Sequence, residues 1–459
     1  MRLVYTALLA ALAVPAAAQD FYVDANAAAG GDGLSWATAT DDLQKALDDA
    51  AAAGGGTVHV GFGPYSGDFV IPAGVEVLGG YVATDPNGRH PKSILQRSFQ
   101  ARTTILAASA RAVEMKANST LDGFWVQFGQ AGSPGGGGIL IDGVDATVRN
   151  CFIRLNNDSV GAGAALLVRN GASPRIENSV FTLNGDPASG AAIEVDGAGG
   201  TYVNLTIDSN EHSGLRLSNG ATPAIYNSIF SNNGALSGAT AYGIEADAAS
   251  SPILEHNLFF NNNSGHYLDG GTPVMTVAQL NALGYAQNNI EGDPKFEVAG
   301  SVWRLQADSP AIDVGHPTEF AARPQGLYDQ PRRLDGRMDG LVRVDIGAAE
   351  FSNIILGMPV DSHTHVHAEV SGTPGLPVCL IIGTNAHEGG IFYGFAGRLF
   401  VDPFGSVVLP YFTVPTPPGV AIDYPSPAFG TPGTPTYWQA LTTNGIGVAI
   451  SNPTVHLSN

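Results

Sequence analysis

Apolar residues in the middle of this chain come in short bursts, not in helical stripes. Runs of about four to six Val, Ile, Leu and Phe are separated by Gly, Asn and Ser, a pattern that predicts strands. The bursts repeat. VRNCFIRLN, IENSVFTLN, VNLTIDSN, IYNSIFSNN and LEHNLFFNN align on Asn150, Asn178, Asn204, Asn227 and His256, which recur 23 to 29 residues apart. A second asparagine follows six residues later each time, at Asn156, Asn184, Asn210, Asn233 and Asn262. A second apolar burst precedes each phrase: GILI at 138–141, AALLV at 164–168, AIEV at 192–195, GLRL at 214–217 and GIEA at 243–246. A period in the twenties marks a solenoid in which each repeat is one coil. Short strands stacked coil on coil predict an all-β protein, a right-handed parallel β-helix. Each strand then satisfies its backbone against the same strand one coil away.

The first asparagine column has a structural reading. Asn tolerates the left-handed backbone region, so it suits a sharp bend. Its amide can also bond its counterparts above and below, which predicts a ladder through Asn150, Asn178, Asn204, Asn227 and His256. Val148, Ile176, Tyr202, Ile225 and Leu254 stand two residues before it. Phe152, Val180, Ile229 and Leu258 stand two after, with Thr206 breaking that column.

The flanks of the repeat region divide the rest. Residues 1–18 read as a secretory signal: Arg2, an apolar run, then Ala16, Ala17 and Ala18 before Gln19. Cleavage near Ala18/Gln19 predicts a secreted, periplasmic or cell-surface protein. No later stretch is long and apolar enough to span a bilayer. Residues 19–300 form the predicted β-helix with an N-terminal cap. The cap is one helix over 41–53, with Leu43, Ala46, Leu47 and Ala50 on one face, Asp41 as its N-cap and Gly54 at its end. Residues 301–357 are a predicted C-terminal capping segment. Residues 358–459, rich in proline and alternating strands, predict a small β-sandwich.

Two stretches resemble known proteins. YVDA, GGDG, SW and the helix that follows resemble secreted bacterial proteins of the pectin-lyase-like β-helix superfamily. GDPKF, WRLQADSPAIDVG and DQPRRLDGRMDGLVRVDIGAAEF resemble the choice-of-anchor Q group of surface β-helix proteins. The matching positions are Asp293, Pro294, Leu305, Ser309 to Asp313, Gly315, Arg332, Asp345 to Ala348, and Glu350. The resemblance spans about residues 20–352 and implies fold and export. It implies no particular reaction.

Charge narrows the partners. The chain has 21 basic and 41 acidic residues, a formal −20. No nucleic-acid partner is expected, because phosphate neutralisation needs a basic face. Cys151 and Cys379 each read as small buried apolar residues. The motifs of pectate lyases and the paired aspartates of β-helix polygalacturonases are not evident. Arg154, Arg169 and Arg216 are the weak candidates for a catalytic base. Glu194, Arg216 and Glu245 take similar places in successive coils and either line a shallow carbohydrate groove or form cross-coil ion pairs. A basic stretch holds Arg89, His90, Lys92, Arg97 and Arg102, which either grip an acidic glycan or are simply solvated. Asp335, Asp339 and Asp345 lie in a Gly-rich loop, as oxygen ligands for calcium or as members of a salt-bridge network. His363, His365 and His367 alternate on one strand face. Neighbours there are about 7 Å apart, a poor spacing for one transition metal. The leading expectation is an exported scaffold binding an extracellular polysaccharide or cell-surface component. The alternatives are a polysaccharide lyase acting by β-elimination on an acidic glycan, and a purely structural or adhesive protein.

Overall fold

The computed structural model describes residues 19–81, 102–107, 110–185 and 190–298, most of 302–351 with gaps, and the strands of the C-terminal module. The core is a right-handed parallel β-helix. Three sheets run its length, one of ten strands and two of nine. One coil shows the plan. Thr147–Arg149 lies in the first sheet, Phe152–Arg154 in the second and Leu166–Arg169 in the third. Each pairs in parallel with its counterpart one coil on, at Arg175–Glu177, Val180–Thr182 and Ile193–Asp196.

Alternation decides what fills the tube. Val148, Ile153 and Val168 point inward and are wholly buried in one continuous apolar core. Their neighbours Arg149, Arg154 and Arg169 point outward. The cap helix runs Leu43–Ala52 and buries Leu43, Ala46, Leu47 and Ala50 on that core. Its N-cap is Asp42, not Asp41: the Asp42 carboxylate accepts the Lys45 N–H at 3.0 Å.

The bend between the first and second sheets is left-handed in every phrase. Asn150, Asn178, Asn204, Asn227 and His256 have φ of 53°, 49°, 55°, 50° and 54°. That region costs most L-residues about 1–2 kcal/mol, and Asn least. Gly123 and Asn288 hold the same bend in flanking coils.

The continuous amide ladder is the other asparagine column. Asn156, Asn184, Asn210 and Asn233 each donate Nδ2 to the next Oδ1, at 3.1, 3.1, 3.0 and 2.8 Å, ending on Asn262. In the first column one such bond joins Asn204 to Asn178. Asn150 turns instead to Asp122, while His256 meets the Val314 carbonyl through Nδ1 and Asn288, its counterpart one coil on, through Nε2 at 3.2 Å. The reason is position. The second column follows a left-handed residue (Leu155, Leu183, Ser209, Asn232, Asn261) that folds the next amide into the tube.

Residues 301–357 were expected to cap the stack, but the described part does something else. The end is closed by 272–286, whose Val274, Val277, Leu280 and Ala286 join the core. The described residues of 296–351 form a strap across the outer face of the second sheet. Phe296, Trp303, Leu305, Ile312, Ile346 and Ala348 pack on Phe152, Val180, Ile229 and Leu258. The Thr206 exception is thereby explained: its Oγ1 accepts the Ala348 N–H at 3.1 Å. Beyond the strap, the C-terminal module is antiparallel, in sheets of four and six strands and a two-stranded ribbon.

Candidate functional site

The strap is tied by the residues that carried the anchor-type resemblance. Asp345 is fully buried, and its oxygens accept N–H bonds from Asp313 at 2.7 Å and Phe351 at 2.5 Å. Arg332, 2% exposed, reaches Glu350 at 3.4 Å and the Gly347 and Asp345 carbonyls at 3.1 Å. Burial pushes Asp345 up to about 7 and raises Glu350 as well. Asp345 is therefore committed to holding the strap, and the calcium reading loses that ligand. Asp335 and Asp339 lie outside the described residues. No group of three or more His, Cys, Asp or Glu able to hold a metal occurs among the described residues.

With the second sheet covered, the third sheet carries an open polar face. A cavity of about 240 Å³ opens at its N-terminal end, lined in part by Asp68, Val70, Arg111, Glu114 and Ser133. Val70 and Glu114 are register partners on adjacent strands, so the cavity floor is the sheet itself. Arg111 donates to the Gly136 and Gly135 carbonyls at 3.2 and 2.9 Å and lies 3.7 Å from Glu114. Burial lowers its pKa, against the pull of Glu114 and Asp142. Lys116 also pairs with Glu114.

Beside this cavity stands a wall of glycines, whose Gly135 and Gly136 carbonyls accept from Arg111. A Cβ on Gly137 would stand 1.9 Å from the Asn157 carbonyl oxygen, and one on Gly136 would stand 3.1 Å from Leu167 Cβ. Only glycine lets this segment lie directly on the sheet. It buries Leu140 and Leu167. The run Gly135 to Gly138 was the available sequence signal for this close approach. Asp68, Arg111 and Glu114 carried none, being scattered singly among apolar residues.

Past the wall the outward row continues through Glu194, Arg216 and Glu245, consecutive register partners. Arg216 pairs with Glu194 and with the Gly161 carbonyl. Ser218 donates to Glu194 at 3.0 Å, and Ser213 pairs with Glu245. The structure thus brings Glu194, Arg216 and Glu245 together as a cross-coil network. A parallel outer row runs Asp142, Arg169, Asp196, Ser218, with Arg169 3.6 Å from Asp142.

The three arginine candidates do not converge. Arg169 and Arg216 are on the third sheet, and Arg154 is on the second. Burial would lower the Arg216 pKa, but Glu194, Glu245 and Asp158 more than offset it, and the net shift is upward. Such a group holds its proton. Arg102 lies over Trp125, away from Glu194 and Glu245. Arg89, Lys92, Arg97 and His363 lie outside the described residues. His365 and His367 lie in the strand His365–Gly372.

The fold defines the class: a right-handed parallel β-helix. Residues 100–281 match the family described as "Right handed beta helix region". Among solved structures, the chain is similar to the tailspike protein gp49 of the Acinetobacter baumannii bacteriophage Fri1, a capsular polysaccharide depolymerase. The identity is 12%, over 96% of this chain and 82% of that one, with a TM-score of 0.19. No curated protein matches the chain.

Proposed function

We propose that this protein is an exported β-helix scaffold that binds carbohydrate on the outer face of its third sheet, with the 240 Å³ cavity as the primary subsite. The observation that carries this reading is the contrast between faces. The strap seals much of the second sheet with apolar contacts, while the third keeps a cavity bearing both carboxylate and guanidinium. Carboxylates accept from sugar hydroxyls and guanidinium donates to them, so such a mixed lining reads a polyol. From the cavity rim, Asp142, Arg169, Asp196 and Ser218 continue along the stack at about 4.8 Å per coil, the order of one sugar residue. Carboxylates outnumber cations along this face, and the formal charge is −20. A neutral glycan suits it better than a polyuronate.

The test is calorimetric titration of the mature chain with neutral, amino and uronic oligosaccharides. Saturable binding of a neutral oligosaccharide is expected, weakened about tenfold or more by Glu114→Gln, roughly the loss of one charge-assisted hydrogen bond. Neutral glycans that fail to bind, or that bind Glu114→Gln as well as the parent, would overturn the reading. Unsaturated uronate appearing in the same mixtures would favour the lyase instead.

A further inference from the structure

The second sheet carries an arrangement that its cover does not explain. Most described arginines face a carboxylate: Arg149 lies 2.7 Å from Asp122, Arg175 2.6 Å from Glu177 and Arg304 2.9 Å from Glu297. Arg102 and Arg154 have no such partner among the described residues, in a chain of formal charge −20. They nonetheless converge on one side chain. The Arg102 guanidinium carbon stands 4.5 Å from the centre of the Trp125 ring, and that of Arg154 stands 5.7 Å from it.

The surroundings fix these groups in place. Trp125 stacks on Phe152 at 4.7 Å, and Phe152 in turn meets Trp303 of the strap at 5.9 Å. Arg154 stands between its register partners Gln127 and Thr182. Its Nε is enclosed with no acceptor, and so is the Thr182 hydroxyl. Arg154 is partly buried and Arg102 is exposed, so the pair opens to solvent on the Arg102 side. Burial, then the Arg102 charge, lowers the Arg154 pKa. Two like charges held against one indole gain when a counter-charge arrives, and cation–π contacts alone do not neutralise them.

We infer that Arg102 and Arg154, set against Trp125, form a binding site for an oxyanion, the chemistry shared by a sulfate ester, a phosphate group and a uronate on a surface polymer. Guanidinium forks are suited to tetrahedral and planar oxyanions by two-point hydrogen bonding. The site lies at the edge of the strap, on a different flank from the third-sheet cavity. It stands whether or not that cavity takes sugar.

The experiment titrates the mature chain with sodium sulfate, sodium phosphate and sodium glucuronate at constant ionic strength, with sodium chloride as reference. Tryptophan emission and calorimetry report binding. At least one oxyanion is expected to saturate, and which of the three does so identifies the source. Arg102→Gln and Arg154→Gln should each weaken it about tenfold or more, while Lys45→Gln on the exposed face of the cap helix leaves it unchanged. Arg102 is exposed, so Arg102→Gln tests the site even where Arg154→Gln fails to fold. The inference is overturned by emission that responds to none of the three beyond chloride, or by an affinity that Arg102→Gln does not change.

Discussion

Asn210 is the point at which the ladder can be cut most informatively. Its side chain is wholly buried. Nδ2 donates to the Phe181 carbonyl and to Asn233 Oδ1, both at 3.0 Å. Oδ1 accepts the Asn184 N–H and the Asn184 Nδ2, both at 3.1 Å. Asn210→Ala deletes these four bonds and strands the Asn184 N–H in the core. Net values of about 1 kcal/mol per bond, plus about 1–3 kcal/mol for a buried unpaired donor, give a loss of about 5–7 kcal/mol. In a stacked repeat the loss falls on the junctions above and below that coil. Hydrogen exchange followed by mass spectrometry should show amides of 180–184 and 206–210 exchanging much faster, with the denaturant midpoint of the helix lowered. Asn261→Ala is the matched control, because its exposed Nδ2 makes one bond to Asn232 at 2.8 Å. A change of about 1–2 kcal/mol is expected there, mostly from placing alanine at a left-handed φ of 48°. If Asn210→Ala costs no more than Asn261→Ala, the ladder is decoration and the argument fails.

Two further expectations concern the strap. Trp303 donates Nε1 to the buried Asp208 carboxylate at 3.0 Å, so Trp303→Ala removes a large apolar contact and leaves that charge one donor short. A loss of about 3–5 kcal/mol in strap docking is expected, read as faster proteolysis within 296–351 while the coils keep their circular dichroism. The second expectation is a pH slope. Asp345 is raised from 3.8 to about 7, so the folded strap binds more protons than the unfolded chain between those values. Its contribution is complete at acidic pH and declines as pH rises toward about 7, and Asp345→Asn should flatten that slope in denaturant midpoints measured across the window.

The solenoid was legible because stacking forces every coil to repeat its inward apolar positions and its left-handed bends. Asn150 to His256 announce the bend through residue type alone. The ladder was assigned to that column because spacing cannot say which of two asparagine columns faces inward. The difference lies in the left-handed residue before the second column, and at Leu155 and Leu183 nothing in the residue type signals it. The same limit hid the cavity. Asp68 and Glu114 are 46 positions apart in the chain and meet only because the third sheet sets one coil on the next. Glu194, Arg216 and Glu245 were readable because they share one register position in successive coils.

The three flanks of the tube are built from one repeat, yet they have different uses, and outward residues decide which. On the second sheet the outward column reads Trp125, Phe152, Val180, Thr206, Ile229 and Leu258, an apolar stripe that would be costly in water. The strap answers it residue by residue. Gly347 passes where a Cβ would press within 2.6 Å of Ile229, and the next residue gives its N–H to Thr206. The stripe begins before the described strap contacts do: Trp303 reaches Phe152, and Trp125 beyond it is met by Arg102. The third sheet offers Glu114, Glu194, Arg216 and Glu245 at its equivalent positions, and its inner pair, Leu140 and Leu167, is hidden by glycines instead of a strap. The two sites proposed above, the third-sheet cavity and the two arginines at the strap's edge, stand where an apolar outward column ends or was never built.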